Sequence, residues 1–323
     1  MSAAQSVADC CPMTITAIVP LAIKVSLALI VLSVGLQATP EDARWLFRHP
    51  ALLVRSLLSM NVFMPLTAMY VAIAFDVHPP VKLALIALAL SPVPPFLPNK
   101  EIKLSGETSY SVGLLAATSL FSILLIPASV YTLTAVLETP VRMAPSVVAV
   151  LVGECVLLPL AVGLLCRRVV PALSARVANP IAKMGTIALV LVAIPLLIEA
   201  WPGVKLVLVN GTLLAIVLVA IAGLGVGHLL GGPAIEDRLV LALSTASRHP
   251  AVALAIAQAT FPGEKLVTAT VMLELVVVTL IAAPYVSHIK REVRERSALA
   301  AGNSQTRLGS ARTTYLVDRR ARR

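Results

Sequence analysis

The segment LALSTASRHPAVALAIAQATF sets Ser244, Thr245, Ser247, Arg248 and His249 directly ahead of Pro250, inside an otherwise apolar run. A guanidinium is a permanent cation that pairs with carboxylates and phosphates, and in lipid such a charge is costly enough to mark an ion or substrate path by default. Arg248 therefore has three readings. It serves as a built-in cation, it pairs with an anionic solute, or it snorkels or forms a structural ion pair. His249 has two, a proton site with a pKa near neutrality or a neutral imidazole satisfying backbone carbonyls. Glu154 in LVGECVLLPL and Glu274 in VTATVMLELVVV fall near the middles of apolar runs, where an acid is coupled to transport or held in a static pair. Arg248 and Lys24 are the candidate partners of both acids. Lys24 has no acid one turn away, so its partner must come from another helix.

These residues need elements to hold them. The chain has 323 residues, 58% apolar and 13% charged, with a mean hydropathy of +0.92, which leaves too little polar surface for a soluble body. Apolar runs of about 20 residues predict spanning helices, not barrel strands. Nine such stretches occur, at 14–36, 51–75, 81–98, 109–134, 143–165, 181–200, 205–229, 238–260 and 265–287. An N-terminal segment, 1–13, precedes them and a tail, 288–323, follows. The first run reads as a retained helix and not a cleaved leader. The tail carries +7 of the formal net charge of +10 and is Ser- and Arg-rich, composition that suits a disordered cytoplasmic segment near anionic lipid. Tyr315 is its single aromatic residue, too few for stacking platforms, so nucleic acid is not an expected partner. With the N-terminus outside, nine cations fall on inner segments and four on outer ones before the tail is counted; the positive-inside bias then places the C-terminus in the cytoplasm.

Two stretches cannot be continuous helices. SPVPPFLPNK packs Pro92, Pro94, Pro95 and Pro98 into seven residues, with Asn99 directly after, and each proline removes a donor and clashes with the preceding turn. The eighth stretch is interrupted from Ser244 to Pro250. Broken backbone within a bilayer is tolerated where it lines a watery cavity. Splitting the stretches as four, one and four puts each break third in its group, the layout of an inverted repeat (14–134 and 143–287) in a secondary transporter. Gly223, Gly227 and Gly231, four apart in GLGVGHLLGG, predict close helix packing and not a phosphate loop. Gln258 and Asn61 suit interhelical hydrogen bonds. Cys155 and Cys166 lie in apolar helical sequence, where structural disulfides are not expected.

The segment LALIVLSVGLQATPEDARWLFRHPALLVRSLLSMNVFMPLTAMYVA, with its Gly-Leu ending, Thr-Pro-x-Asp turn, Arg-x-Pro and Met-Pro-Leu, resembles the first conserved stretch of the bile acid:sodium symporter family. SPVPPFLPNK with GETSYSVGLLAATSLFSILLIP resembles the family's first crossing region and the helix after it; VLLPLAVGLLCRR resembles its sixth helix, and LALSTASRHPAVALAIAQATFP its second crossing helix. The resemblance covers about residues 27–285. It implies a core and a panel domain, with an organic anion bound beside the crossing helices. It also places Thr118 and Ser119 near the core site. The family's ten-helix members carry one more N-terminal helix. Where they have Pro-Gly-Gly and then Ser-Asn, this chain has Pro92, Val93, Pro94 and then Leu97, Pro98. Where the second crossing helix has Glu, Gln and Asn, this chain has Ser244, Arg248 and His249. Most of the sodium ligands that the resemblance implies are thus replaced, and conventional two-sodium coupling is expected to be absent.

The expectation is an all-α membrane protein of about nine transmembrane helices in a bacterial inner-membrane type of bilayer. It would move a small, anionic organic solute by alternating access, without a cofactor, coupled to H+ or Na+, as a monomer or homodimer. Site membership falls on Arg248, His249, Ser244, Thr245, Ser247, Pro95, Asn99, Thr118, Ser119, Glu154 and Glu274. The absence of a Gly-x-x-x-x-Gly-Lys-Ser/Thr run excludes ATP-driven pumping by this chain alone. A membrane sensor without transport is the alternative. An embedded enzyme using His249 with either acid is a further one, against which stands the lack of a nucleophile or His-Glu-x-x-His motif.

Overall fold

The computed structural model describes residues 11–94, 108–137, 145–209 and 211–321, and these are helical with no strand among them. The first apolar stretch forms α1 (Cys11–Gln37). The chain then turns by 95° into a short α2 (Pro40–Trp45) and a 3-10 turn, Leu46–Arg48. Thr39 and Asp42 make a capping box at that elbow, with Pro40 opening the helix, an arrangement that satisfies the first free amides and presets φ.

The second stretch is α3 (Pro50–Leu58), a π-helical turn at Ser59–Phe63, and α4 (Met64–Ala74). The fifth repeats the device: α7 (Pro145–Val152), a π turn at Gly153–Leu157, and α8 (Leu158–Val169). Each π turn ends just before a proline, Pro65 or Pro159. The missing amide and the ring's clash with the preceding turn account for the widened hydrogen-bond pattern.

The third stretch is cut short. Its helix α5 (Pro79–Leu90) stops at Ser91, which is extended at φ −70°, ψ 153°. The fourth is α6 (Thr108–Leu137) and the sixth is α9 (Pro171–Val209). The seventh begins as α10 (Thr212–Leu230), entered through Gly211 at φ +71°. That left-handed conformation strains any residue with a Cβ. The eighth stretch divides into α11 (Ile235–Ala246) and α12 (Pro250–Thr260), separated by extended residues 247–249. Both expected breaks are therefore present in the backbone.

Seven helices among the described residues are long and apolar enough to cross a membrane, or eight if the bent α1–α2 pair is one span; α5 is shorter. Burial separates them. Of the most apolar window in the broken α11–α12 span, 72% is buried, against 11% in α9, so the interrupted span lies at the centre and α9 at the periphery. Along α5 every residue from Leu83 to Leu90 is buried. Helix α1 packs on α8 and α9, whereas α4, α5, α10, α11 and α12 pack on one another. Glycine sets the tightest of these contacts: a Cβ on Gly227 would lie 2.5 Å from Ala242 Cα, and one on Gly223 2.8 Å from Ala246 Cα. Gly231 meets Arg238 Cα at 2.5 Å in the same way, so the three glycines do serve helix packing.

The last helix, α13 (Lys265–Ala321), continues the ninth stretch. Residues Ala282–Arg323 form a compact unit of their own. Where the composition of the tail suggests disorder, the described residues remain helical to Ala321. Its Glu, Arg, Ala and Leu are strong helix formers, and Arg291 pairs with Glu295 one turn on at 2.8 Å.

Candidate functional site

The two breaks meet. His249 N donates to the carbonyl oxygen of Pro92 at 3.0 Å and lies 3.0 Å from Ser91 Oγ, a second acceptor. Ser91 Oγ in turn donates to Leu88 O at 2.7 Å, closing the last turn of α5. Proline at 92 keeps its carbonyl while lacking an amide, so the extended segment offers an acceptor that the amide of His249 takes. Broken ends that lipid cannot solvate thereby satisfy one another.

Arg248 spans the same junction. It is 2% exposed. Its Nη2 donates to Met60 O at 2.7 Å and to Ala89 O, and its Nε reaches Leu88 O at 3.3 Å. Leu88 and Ala89 belong to the last turn of α5, whose free carbonyls form the negative end of that helix. Met60 lies in the π turn of the second span. One planar fork thus ties three segments together, which an ammonium on a flexible stem would do less well. Nη1 is buried and has no hydrogen-bond partner among the described residues.

Beside it, His249 Nδ1 accepts from Val252 N at 3.4 Å and caps α12. An imidazole accepting at Nδ1 carries its hydrogen on Nε2, and that atom is buried without a partner among the described residues. Thr245 is held by Ser59, hydroxyl to hydroxyl at 2.8 Å. Ser244 is also buried, and Ser247 is half-buried within the break. Glu274, 5% exposed, stands within electrostatic reach of Arg248 but outside ion-pair distance.

The two intramembrane acids part company here. Glu154, lifted out by its π turn, pairs with Lys24 at 3.2 Å, both side chains about half exposed at 56% and 43%. The partner of Lys24 does come from another helix. Thr118 Oγ1 donates back to Leu114 O at 2.7 Å, while Ser119 Oγ is buried without a partner among the described residues. Gln258 bridges to Thr268 and Gly263, and Asn61 bonds within its own helix to Leu57 O. Pro95 and Asn99 lie outside the described residues. Cys155 and Cys166 are free thiols.

The arrangement therefore gathers Arg248, His249, Ser244, Thr245, Ser247 and Glu274 around one crossing. Sequence reasoning missed its main-chain members, the carbonyls of Met60, Leu88, Ala89 and Pro92, and the hydroxyls of Ser59 and Ser91. The proline at 92 was the available signal for the last of these.

The profile of the sodium bile acid symporter family matches residues 24–201. The chain belongs to that family. The match runs from Lys24 through the first break and both π turns to Trp201, more than half of the chain. Membership makes this a multi-pass membrane protein of a transporter family, consistent with its apolar helices. No curated protein sequence matches the chain.

Proposed function

We propose that this member of the family is a secondary active carrier of a small organic anion, working by alternating access around the crossing of its two interrupted helices. The observation that carries the reading is the contact of His249 N with Pro92 O and Ser91 Oγ beneath a buried guanidinium. Two half-helices that meet deep in the protein give a fixed point, and the positive N-terminal end of α12 there favours an anionic group. Arg248 Nη1 and His249 Nε2 supply buried donors there. Glu274 is buried within electrostatic reach of Arg248, so the crossing also holds a carboxyl group.

Three carbonyls that already accept from Arg248 do not fit a sodium ion as well, so no transport step is assigned to sodium at this point. Arg248 acts as the resident cation at the crossing, and His249 caps α12 beside it. The half-exposed Lys24–Glu154 pair supports an aqueous face between α1 and the π turn at Gly153–Leu157, because paired charges midway along a span are unfavourable against hydrocarbon. The reading places the N-terminus outside and the protein in a bacterial inner-membrane type of bilayer.

The test begins with a thermal-shift screen of organic anions on detergent-solubilised protein. Uptake of the stabilising anion into proteoliposomes, with sodium replaced by choline at fixed pH, follows. The proposal expects uptake to survive the replacement; strict sodium dependence contradicts it.

A further inference from the structure

Away from the crossing, the elbow between α1 and α2 and the end of α8 build a charged cavity. Gly35 and Gly163 bring α1 and α8 into backbone contact: a Cβ on Gly35 would lie 2.7 Å from Leu160 O, and one on Gly163 2.7 Å from Leu32 O. One turn beyond each glycine stand Thr39 and Arg167, so the close approach holds these helix ends side by side. The elbow itself is fixed. Asp42 accepts from Thr39 N and Thr39 Oγ1 at 2.8 Å each and from Ser109 Oγ at 2.5 Å.

Between these ends lies a cavity of about 430 Å³ lined by Thr39, Pro40, Glu41, Arg44, Arg167 and Arg168. Three guanidiniums face it against one carboxylate, that of Glu41. Arg44 sits in the last turn of α2, and Arg167 and Arg168 in the last turn of α8. Arg167 Nη1 donates to Pro171 O at 3.1 Å. None of the three makes an ion pair among the described residues. Arginine forks match phosphate oxygens. The same helix end presents Leu165 and Val169, 62% and 68% exposed, so an apolar strip runs up to the cations. A cationic cavity joined to an apolar helix face at the end of a membrane span fits a phosphate headgroup whose acyl chains lie along that face.

We infer that the cavity formed by Arg44, Arg167 and Arg168 binds the phosphate of an anionic phospholipid, separately from the transported solute. The site does not depend on the transport reading, because its ligand is neither carried nor coupled. The positive-inside orientation puts it on the cytoplasmic leaflet, where anionic lipid is concentrated.

The experiment follows the melting of the full-length protein in mild detergent as phosphatidylglycerol, phosphatidylcholine or inorganic phosphate is added. Phosphatidylglycerol is expected to stabilise the protein at lower concentration than phosphatidylcholine. The triple variant R44Q/R167Q/R168Q keeps the basic tail, so any contribution of the tail is common to both proteins. The half-effective phosphatidylglycerol concentration should rise about fivefold for each arginine removed, and Glu41→Gln should lower it. Equal titrations for the wild type and the triple variant overturn the inference. Arginine-dependent stabilisation by inorganic phosphate alone overturns the lipid assignment and makes the ligand a soluble anion. Should the triple variant not be monodisperse, the exposed Arg168→Gln alone must show the fivefold change.

Discussion

Arg248 Nη2 donates to Met60 O at 2.7 Å, across 188 positions of sequence. The bond joins the interrupted eighth stretch to a π turn in the second, and the same guanidinium closes the carbonyl end of α5. A buried cation is stable here because its donors meet the negative end of a helix and not because a carboxylate touches it.

Removing that side chain leaves the carbonyls of Met60, Leu88 and Ala89 without their donor. At about 1–3 kcal/mol for each buried group left unsatisfied, Arg248→Ala should lower the melting temperature markedly and abolish uptake. Arg248→Lys keeps the charge but loses the fork, and should recover part of the stability. Thermal melting and proteoliposome uptake of both variants check this; wild-type uptake by Arg248→Ala would remove Arg248 from the site.

The hydroxyl pair Ser59–Thr245 joins the same two stretches at 2.8 Å. Replacing either residue with alanine should cost about 1 kcal/mol, and the double replacement less than the sum, because the two lose a shared bond. A double-mutant cycle on reversible denaturation reads the coupling. Strict additivity would show that the contact contributes nothing.

Helix α10 approaches α11 so closely that no side chain fits at Gly227, whose Cβ would fall 2.5 Å from Ala242 Cα. Gly227→Ala should destabilise by about 1–3 kcal/mol through overpacking. Gly225, with open space around its Cβ position, is the control, and Gly225→Ala should be neutral or slightly stabilising through helix propensity. Melting temperatures of the two variants decide the matter.

For the Lys24–Glu154 pair, a single reversal such as Lys24→Glu sets two carboxylates together and should abolish uptake. The exchanged variant K24E/E154K restores an opposite pair and should recover transport if the pair acts by mutual attraction. Failure of the exchange to recover any activity would mean that one of the two residues has a role of its own, such as carrying a proton.

Much of this was legible in the sequence because it rests on residues with strong local signatures. Pro92 and Pro94 cannot continue a helix, and Pro250 must begin one, so both breaks could be read directly. The glycines at 223, 227 and 231 announced a tight helix contact by spacing alone. The partners of the two acids were not legible: Glu154 and Glu274 sit in similar apolar surroundings, and only the fold sends one to Lys24 and sets the other near Arg248. The carbonyls that hold Arg248 were hidden for a different reason, since a main-chain oxygen exists at every position and has no sequence signature. Helix propensity along REVRERSALAA competes with the low apolar content of the tail, and composition alone does not decide between the two.

The most direct measurement is counterflow. Proteoliposomes preloaded with the unlabelled organic anion found by thermal shift, and diluted into a trace of the labelled compound in choline buffer, should accumulate label transiently above its external concentration. Binding to the surface without accumulation inside, at protein levels that give full thermal stabilisation, would contradict a carrier and leave a membrane protein that recognises its ligand without moving it.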